Sequence, residues 1–355
     1  MTAAAGEREP DAPAGDSPVA LADGFGRRVE YLRVSLTDRC NYRCVYCMPA
    51  AGLPWLRRAD LLTDDEVVEA VRQLSALGLR RVRLTGGEPT LRPTLVSLVA
   101  RLRALGTLDD LSLSTNGVRL AELAPALAAA GLDRVNVSVD SLDPARATRI
   151  ARRDLGFDPV AALEAAERAG LAPVKVNVVV MRGVNDDEVE ALAALALDRP
   201  WHVRFIELMP VGELAEQLAA EGADPAAMVV PSDQVLDRVA RLGEGLGRPL
   251  APSGGPARGN GPARYARFAG GSGSVGVITP MTHTYCGACN RLRLTADGRL
   301  RPCLYGEGEV LLRDALRAGA PLAPLVREAL AGKPREHALL TRRVGGLRAL
   351  SQVGG

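Results

Sequence analysis

Tyr31-Leu32-Arg33-Val34-Ser35-Leu36-Thr37-Asp38-Arg39-Cys40-Asn41-Tyr42-Arg43-Cys44-Val45-Tyr46-Cys47 opens as a strand-like run and ends in three cysteines spaced C-x3-C-x2-C. Three thiolates this close can hold three corners of a four-iron cluster and leave the fourth iron without a protein ligand. An iron with open positions binds small molecules, so such a cluster is a catalyst and not only an electron store. Ferredoxin runs supply a full set of four cysteines at other spacings. Three buried structural thiols, or three-quarters of a zinc site, are the alternatives that the spacing leaves open.

Working outward, that strand is the first of six. Tyr31–Leu36, Arg81–Thr85, Asp110–Thr115, Arg134–Asp140, Val174–Val180 and Trp201–Ile206 alternate with helical stretches at Leu62–Leu77, Thr94–Leu105, Leu120–Ala130, Pro159–Gly170 and Asp186–Leu197. The first of these helices begins at Thr63 with Glu66 three residues on, a capping box. The alternation predicts right-handed βαβ units on a parallel sheet, and six units predict an α/β fold: a partial (β/α)6 barrel, short of the closed eight-fold form.

Parallel strands covered on both faces read as unbroken apolar runs. These strands alternate instead, as in Leu32, Val34 and Leu36 against Arg33 and Ser35, or Val135, Val137 and Val139 against Asn136, Ser138 and Asp140. Helices must cover the apolar parity, so the polar parity points into a hydrated lumen. That lumen carries Arg33, Arg83, Lys175 and Arg204 against Asp140. The positive surplus predicts an anionic ligand such as a phosphate ester. The chain has no G-x-x-x-x-G-K-[ST] loop, so a triphosphate must be held by cationic side chains.

After Glu207 the rhythm changes. Pro231–Leu242 reads as a helix capped by Ser232, and the Gly-, Pro- and Ser-rich stretch Pro249–Gly273 reads as loop. Strands at Ser274–Ile278, Arg291–Thr295 and Leu300–Pro302 flank a second triplet, Cys286, Cys289 and Cys303. Ala296-Asp297-Gly298-Arg299 is a hairpin turn. The expected organisation is a disordered tail over residues 1–24, a barrel over 25–210 and a C-terminal extension over 211–355 that carries a second iron–sulfur site. His283 with the second triplet could instead form a Cys3His zinc site.

Composition narrows the class. The hydrophobic fraction of 47% allows a large core, and 3% aromatics make that core aliphatic. With 44 basic and 42 acidic residues the net charge is +2, which argues against a dedicated nucleic-acid surface. No run approaches the roughly 18 apolar residues of a membrane span, and no secretion signal is visible. The expected compartment is the cytoplasm, where thiols stay reduced. Six cysteines in two triplets with none left over then read as metal ligands and not as disulfides.

The second strand ends in Thr85-Gly86-Gly87-Glu88-Pro89. Together with the first triplet, this resembles the radical S-adenosylmethionine (SAM) superfamily. Arg39-Cys40-Asn41-Tyr42-Arg43-Cys44, Ser114-Thr115-Asn116-Gly117, Asn136-Val137-Ser138-Val139-Asp140-Ser141, Lys175-Val176-Asn177-Val178-Val179, Arg204-Phe205-Ile206-Glu207-Leu208-Met209 and the second triplet resemble the GTP 3′,8-cyclase family within it. The resemblance implies two [4Fe-4S] clusters, one on Cys40, Cys44 and Cys47 and one on Cys286, Cys289 and Cys303. It implies that the first cluster cleaves SAM to a 5′-deoxyadenosyl radical, which takes hydrogen from C3′ of GTP so that C3′ attacks C8. By position, Tyr46, Gly87, Ser138 and Met209 would line SAM. Arg33, Arg83, Ser114, Lys175, Arg291, Leu292 and Arg293 would contact GTP. The implied partners are GTP, SAM, a reducing electron donor and, by metabolite hand-off, a cyclic pyranopterin monophosphate synthase. Neither nucleic acid nor membrane is implied, and a homodimer is allowed for. Two departures stand out: Ser114 replaces the family's usual Thr, and no contact is assigned in the 249–273 loop. The terminal Gly354-Gly355 matches a family ending thought to reach the active site.

Overall fold

A computed structural model describes residues 21–154, 156–211, 213–256, 261–306, 308–337 and 348–354. The six expected strands form as β1 (Tyr31–Ser35), β2 (Arg81–Thr85), β3 (Asp110–Thr115), β4 (Arg134–Ser138), β5 (Lys175–Val180) and β6 (His202–Glu207). They pair in chain order and all run parallel. Crossovers carry α1 (Asp64–Ala76), α2 (Leu95–Ala104), α3 (Leu120–Ala129), α4 (Pro144–Ala151), α5 (Pro159–Arg168) and α6 (Val189–Asp198). The capping box at Thr63 is present in both directions, Glu66 N donating to Thr63 Oγ1 at 3.2 Å and Thr63 N to Glu66 Oε2 at 2.7 Å. Helix α4 was not anticipated from its sequence. It buries only Ile150 and Ala151, too little to give a readable apolar period, and is started by Asp143, which accepts from the Arg146 amide.

The strand parity works as the alternation requires. Leu32, Val34, Val82, Leu84, Leu111, Leu113, Val135, Val137, Val176 and Val203 pack into one aliphatic core under the helices. The opposite parity faces inward, and register makes it continuous. Arg293 of the strand described next, Arg33 and Arg83 lie opposite one another, as do Ser138, Asn177 and Arg204.

The remaining strands are β7 (Leu250–Ser253), β8 (Arg264–Phe268), β9 (Ser274–Ile278), β10 (Arg291–Leu294), β11 (Arg299–Arg301) and β12 (Val310–Leu311). The sheet order is β12-β11-β10-β1-β2-β3-β4-β5-β6-β9-β8-β7. The last third of the chain therefore extends both edges of the barrel sheet, with β10 parallel to β1 and β9 parallel to β6. Helices α7 (Glu213–Ala220), α8 (Ser232–Gly245), α9 (Arg313–Arg317) and α10 (Ala323–Ala331) complete the elements used below. Among the described residues no helix is long and apolar enough to cross a membrane.

Three expectations need correcting. The stretch Pro249–Gly273, expected as loop, contains the antiparallel pair β7 and β8, with Pro252 inside β7; Phe268 of β8 packs in the core. Ser232 is not the cap of α8. It occupies the first helical position, and its amide donates at 2.9 Å to Glu207 Oε1, so a distant carboxylate does the capping. The tail is folded from Leu21 onward, since Val29 N donates to the Leu21 carbonyl at 2.7 Å and Asp23 pairs with Arg27. The rest of that tail, residues 1–20, lies outside the described residues.

Candidate active site

The cysteine run leaves the C-terminal end of β1 and crosses above the ends of β2 to β4. Gly86 and Gly87 make this crossing possible. A Cβ on Gly87 would sit 2.1 Å from the Arg39 carbonyl oxygen, and one on Gly86 would sit 2.4 Å from that of Thr37. Gly86 also has φ +140. Their close approach is thus to the cysteine loop itself. Glu88 is buried and spent on structure: its carboxylate accepts from Thr90 N, Thr90 Oγ1, Thr115 Oγ1 and Asn116 N, tying β2 to β3.

A cavity of about 190 Å³ opens beneath this loop, lined by Cys40, Cys44, Cys47, Tyr46, Gly87, Ser114, Ser138 and Asp140, among others. All six cysteines are free thiols and half-buried. Burial pushes the Cys40 thiol up to about 11, against the Tyr42 amide, which favours the thiolate. Burial likewise takes Cys47 up to about 12. Cys44 rises well above its ordinary value, through burial and then the negative charges of Asp140, Cys47 and Cys40. Three thiols that disfavour one another's ionisation are a donor set awaiting positive charge. Among the described residues no three or more His, Cys, Asp or Glu gather around a single ion position. The set is judged by its chemistry: thiols alone, each available to a separate iron, match an iron–sulfur cluster.

A second cavity, also about 190 Å³, lies deeper in the lumen. Arg33, Tyr46, Ser138, Asp140, Asn177 and Leu350 line both, so the two share a wall. Arg33, Arg83, Arg204, Arg291 and Arg293 line the second against Asp140 and Glu207. Both acids are already engaged. Asp140 accepts from Tyr46 Oη at 2.6 Å and from Val179 N at 2.9 Å, and burial raises its carboxyl to about 6. Glu207 takes the amides of Ser232, Met281 and Thr282. The guanidiniums find neutral partners: Arg83 donates to Ser112 Oγ at 3.3 Å, and Arg204 to Asn136 and Asn177. The Nε atoms of Arg33, Arg204 and Arg291 are buried with no partner. Burial and then mutual repulsion pull Arg293 down to about 9.

The expected residues divide unevenly. Of the SAM set, Tyr46, Gly87 and Ser138 line the first cavity, whereas Met209 lines the second, its sulfur accepting from Tyr305 Oη. Of the GTP set, Arg33, Arg83, Arg291 and Arg293 line the second cavity, but Ser114 lines the first. Lys175 is buried in the wall, opposite Asn136 and His202 in register. The Leu292 side chain belongs to the core and faces away from the lumen. Tyr31, Asn177 and Tyr285 line the lumen and were missed as site residues; Tyr31 and Asn177 share the lumen parity of Arg33 and Lys175, which could have signalled them.

The second triplet lies between β9 and β10 and just past β11, with Cys286 opening a short turn and Cys303 following the β10–β11 hairpin. His283 is not among its partners, since its Nε2 lies 3.1 Å from Asp233 Oδ2 at an exposed position. This counts against His283 as the fourth ligand of the zinc alternative. The C-terminal segment closes the lumen: Leu350 lines both cavities, and Arg293 donates to the carbonyls of Val353 and Gly354. A Cβ on Gly354 would lie 2.6 Å from Thr85 Cγ2 and 2.9 Å from Ser35 Oγ. Gly355 lies outside the described residues.

Residues 34–196 match the model of the radical SAM superfamily, and residues 201–339 match that named Molybdenum Cofactor Synthesis C. The chain is 46% identical over 340 residues to a GTP 3′,8-cyclase of Moorella thermoacetica, covering 94% of this chain and 100% of that one. The chain belongs to the GTP 3′,8-cyclase family. A second member, from Heliobacterium modesticaldum, is 46% identical over 342 residues, covering 94% of this chain and 100% of its own. Among solved structures, Streptococcus suis SuiB bound to its precursor peptide SuiA superposes with a TM-score of 0.56 at 12% identity, covering 89% of this chain and 74% of that one. That likeness concerns the fold, a radical SAM barrel shared across the family and beyond it.

Proposed function

We propose that the chain converts GTP to (8S)-3′,8-cyclo-7,8-dihydroguanosine 5′-triphosphate, an early step of molybdenum cofactor biosynthesis. The observation that carries this reading is the shared wall between a thiol-lined cavity and a lumen where the Nε atoms of Arg33, Arg204 and Arg291 have no partner. Cys40, Cys44 and Cys47 would hold one [4Fe-4S] cluster, and Cys286, Cys289 and Cys303 a second. The cluster held by Cys40, Cys44 and Cys47 would supply, with SAM bound, the single electron for cleavage and radical hydrogen abstraction. Tyr46, Gly87 and Ser138 would place SAM beside that cluster, with Met209 at the boundary with the lumen. Arg33, Arg83, Arg291 and Arg293 would hold the triphosphate by charge-assisted bonds, whose fork geometry suits phosphate oxygens. Ser114 and Lys175 flank that space, and Leu292 can contribute only its main chain. Burial of the lumen excludes water and other hydrogen donors from the reacting carbon.

The barrel, residues 25–210, would carry the radical chemistry, and residues 211–355 would close it and present the second cluster. A cytoplasmic reducing donor would supply the electron. The product would pass to a cyclic pyranopterin monophosphate synthase, and the active form would be a monomer or homodimer.

The test is anaerobic reconstitution with iron and sulfide, reduction, and incubation with SAM and GTP. Mass spectrometry should find 5′-deoxyadenosine and an isomer of GTP together. Deoxyadenosine with GTP unchanged would overturn the substrate, and neither product from protein with two intact clusters would overturn the enzyme.

A further inference from the structure

Lys333 follows α10, and it is 3% exposed, with its ammonium turned inward. Its Nζ donates to the Pro302 carbonyl at 2.6 Å, to the Arg291 carbonyl at 3.0 Å and to the Cys289 sulfur at 3.4 Å. An ammonium has three donors, and all three are spent on the segments bearing the second triplet. Arg291 lies two residues after Cys289, and Pro302 immediately precedes Cys303. Two of the three partners are neutral carbonyls. Burying an ammonium against neutral groups is costly, so the countercharge must come from the third partner, the sulfur.

The chain beyond Lys333 is pinned independently. Arg27, paired with Asp23, donates to the Cys286 carbonyl at 2.7 Å, to the Pro334 carbonyl at 2.7 Å and to the Arg335 carbonyl at 3.0 Å. Lys333 is therefore held at the triplet by backbone contacts on its C-terminal side and by α10 on its N-terminal side. The first triplet has no such cation in bonding contact with its sulfurs among the described residues. Its sulfurs meet neutral donors instead, as Cys40 Sγ does in accepting from the Tyr42 amide at 3.4 Å, and Asp140 stands in the same cavity.

We propose that Lys333 is the charge-balancing and positioning residue of the second iron–sulfur site, fixing Cys289, retaining the cluster and raising its reduction potential. The inference rests on reading Cys286, Cys289 and Cys303 as cluster ligands. The physical reason is general: hydrogen bonds to cluster sulfurs and nearby positive charge favour the electron-richer reduced form. The effect is selective, because only one of the two clusters meets this ammonium.

The test compares Lys333→Met, which removes charge and donors, with Lys333→Arg, which keeps both. The readouts are iron and zinc content, circular dichroism, and a redox titration followed by electron paramagnetic resonance. None of these requires turnover of GTP. In Lys333→Met with both clusters present, the potential of the second cluster should shift negative and that of the first should stay. Lys333→Arg should return it toward the parent value. Loss of about half the iron in Lys333→Met, with iron kept in Lys333→Arg, would support the retention role equally. An unshifted second potential in fully loaded Lys333→Met would overturn the proposal. So would loss of the second cluster, or of the fold, in Lys333→Arg as well as in Lys333→Met, because shape and not charge would then matter. Zinc in place of iron in the parent protein would instead overturn the reading of the site itself.

Discussion

The two cysteine triplets are alike in number and differ in the charge set against one of their sulfurs. At the first, burial and then Asp140 and the sister cysteines push Cys44 far above its ordinary value, while Arg43 acts the other way on Cys40. At the second, the cations gather on one cysteine, while burial, the sister thiols and Glu336 raise Cys286. Burial raises Cys289, but the charges of Lys333 and Arg291 outweigh it, and its thiol ends below the ordinary value. Positive charge and hydrogen bonds at cluster sulfurs favour the reduced form, so the ammonium at Cys289 sets the second site apart from the first. The difference teaches that one protein can run two chemistries on one ligand type by changing only what surrounds the sulfurs.

The sharpest way to break this contrast is Cys44→Ala. It should reduce SAM cleavage to background while GTP binding, measured by equilibrium dialysis, persists; loss of both would mean that the two sites are not separable. Next in size is Arg291→Ala. Removing one charge-assisted phosphate contact should weaken GTP binding roughly tenfold to a hundredfold, with uncoupled SAM cleavage surviving. Unchanged affinity would take the second triplet's neighbourhood out of the GTP site.

A smaller effect sharpens the lumen's side of the comparison. Burial, then repulsion from Arg134, Arg204 and Arg83, pulls Lys175 down to about 5. The folded protein thus binds fewer protons there than the unfolded chain at every pH between about 5 and the free-lysine value near 10.4. This group's contribution to stability therefore rises with pH across that window and is poorest at its acidic end. A triphosphate in the lumen should recharge Lys175, so GTP binding at pH 7 should take up close to one proton. Calorimetry in buffers of different ionisation enthalpy measures this, and zero uptake would place the phosphates away from Lys175. The smallest effect belongs to His283→Ala, which should leave the metal content of the second triplet unchanged, since His283 bonds Asp233 and not the thiols.

The barrel and its lumen were legible because they follow from parity: Arg33, Arg83 and Arg204 could face nowhere else once Leu32, Val82 and Val203 were committed to the helices. The cysteines stood out by spacing, and the structure sets the first three along one cavity. Features set by tertiary neighbours were not legible. Ser232 looked like a cap because nothing local reveals that Glu207 reaches its amide. The β7–β8 pair hid in turn-rich composition because edge strands so short carry little period. That Met209 lines the lumen cavity and Ser114 the cysteine-lined one could not be read from parity, because the two cavities share a wall. Lys333 sits in an Ala-Gly-Lys-Pro stretch that reads only as a helix ending.

The sheet order has a consequence in time. The outer edge of β1 finds its partner only when β10 is made, residue 31 waiting for residue 291. At about 5–20 residues per second, that wait is on the order of tens of seconds. The far edge, β6, is covered sooner by β9. During synthesis the barrel therefore passes through a stage with a bare strand beside its first cysteine loop, open to wrong pairing with another nascent chain. Slowing expression, or supplying iron early enough to order that loop, should raise the yield of correctly folded protein more than any change to its finished surface.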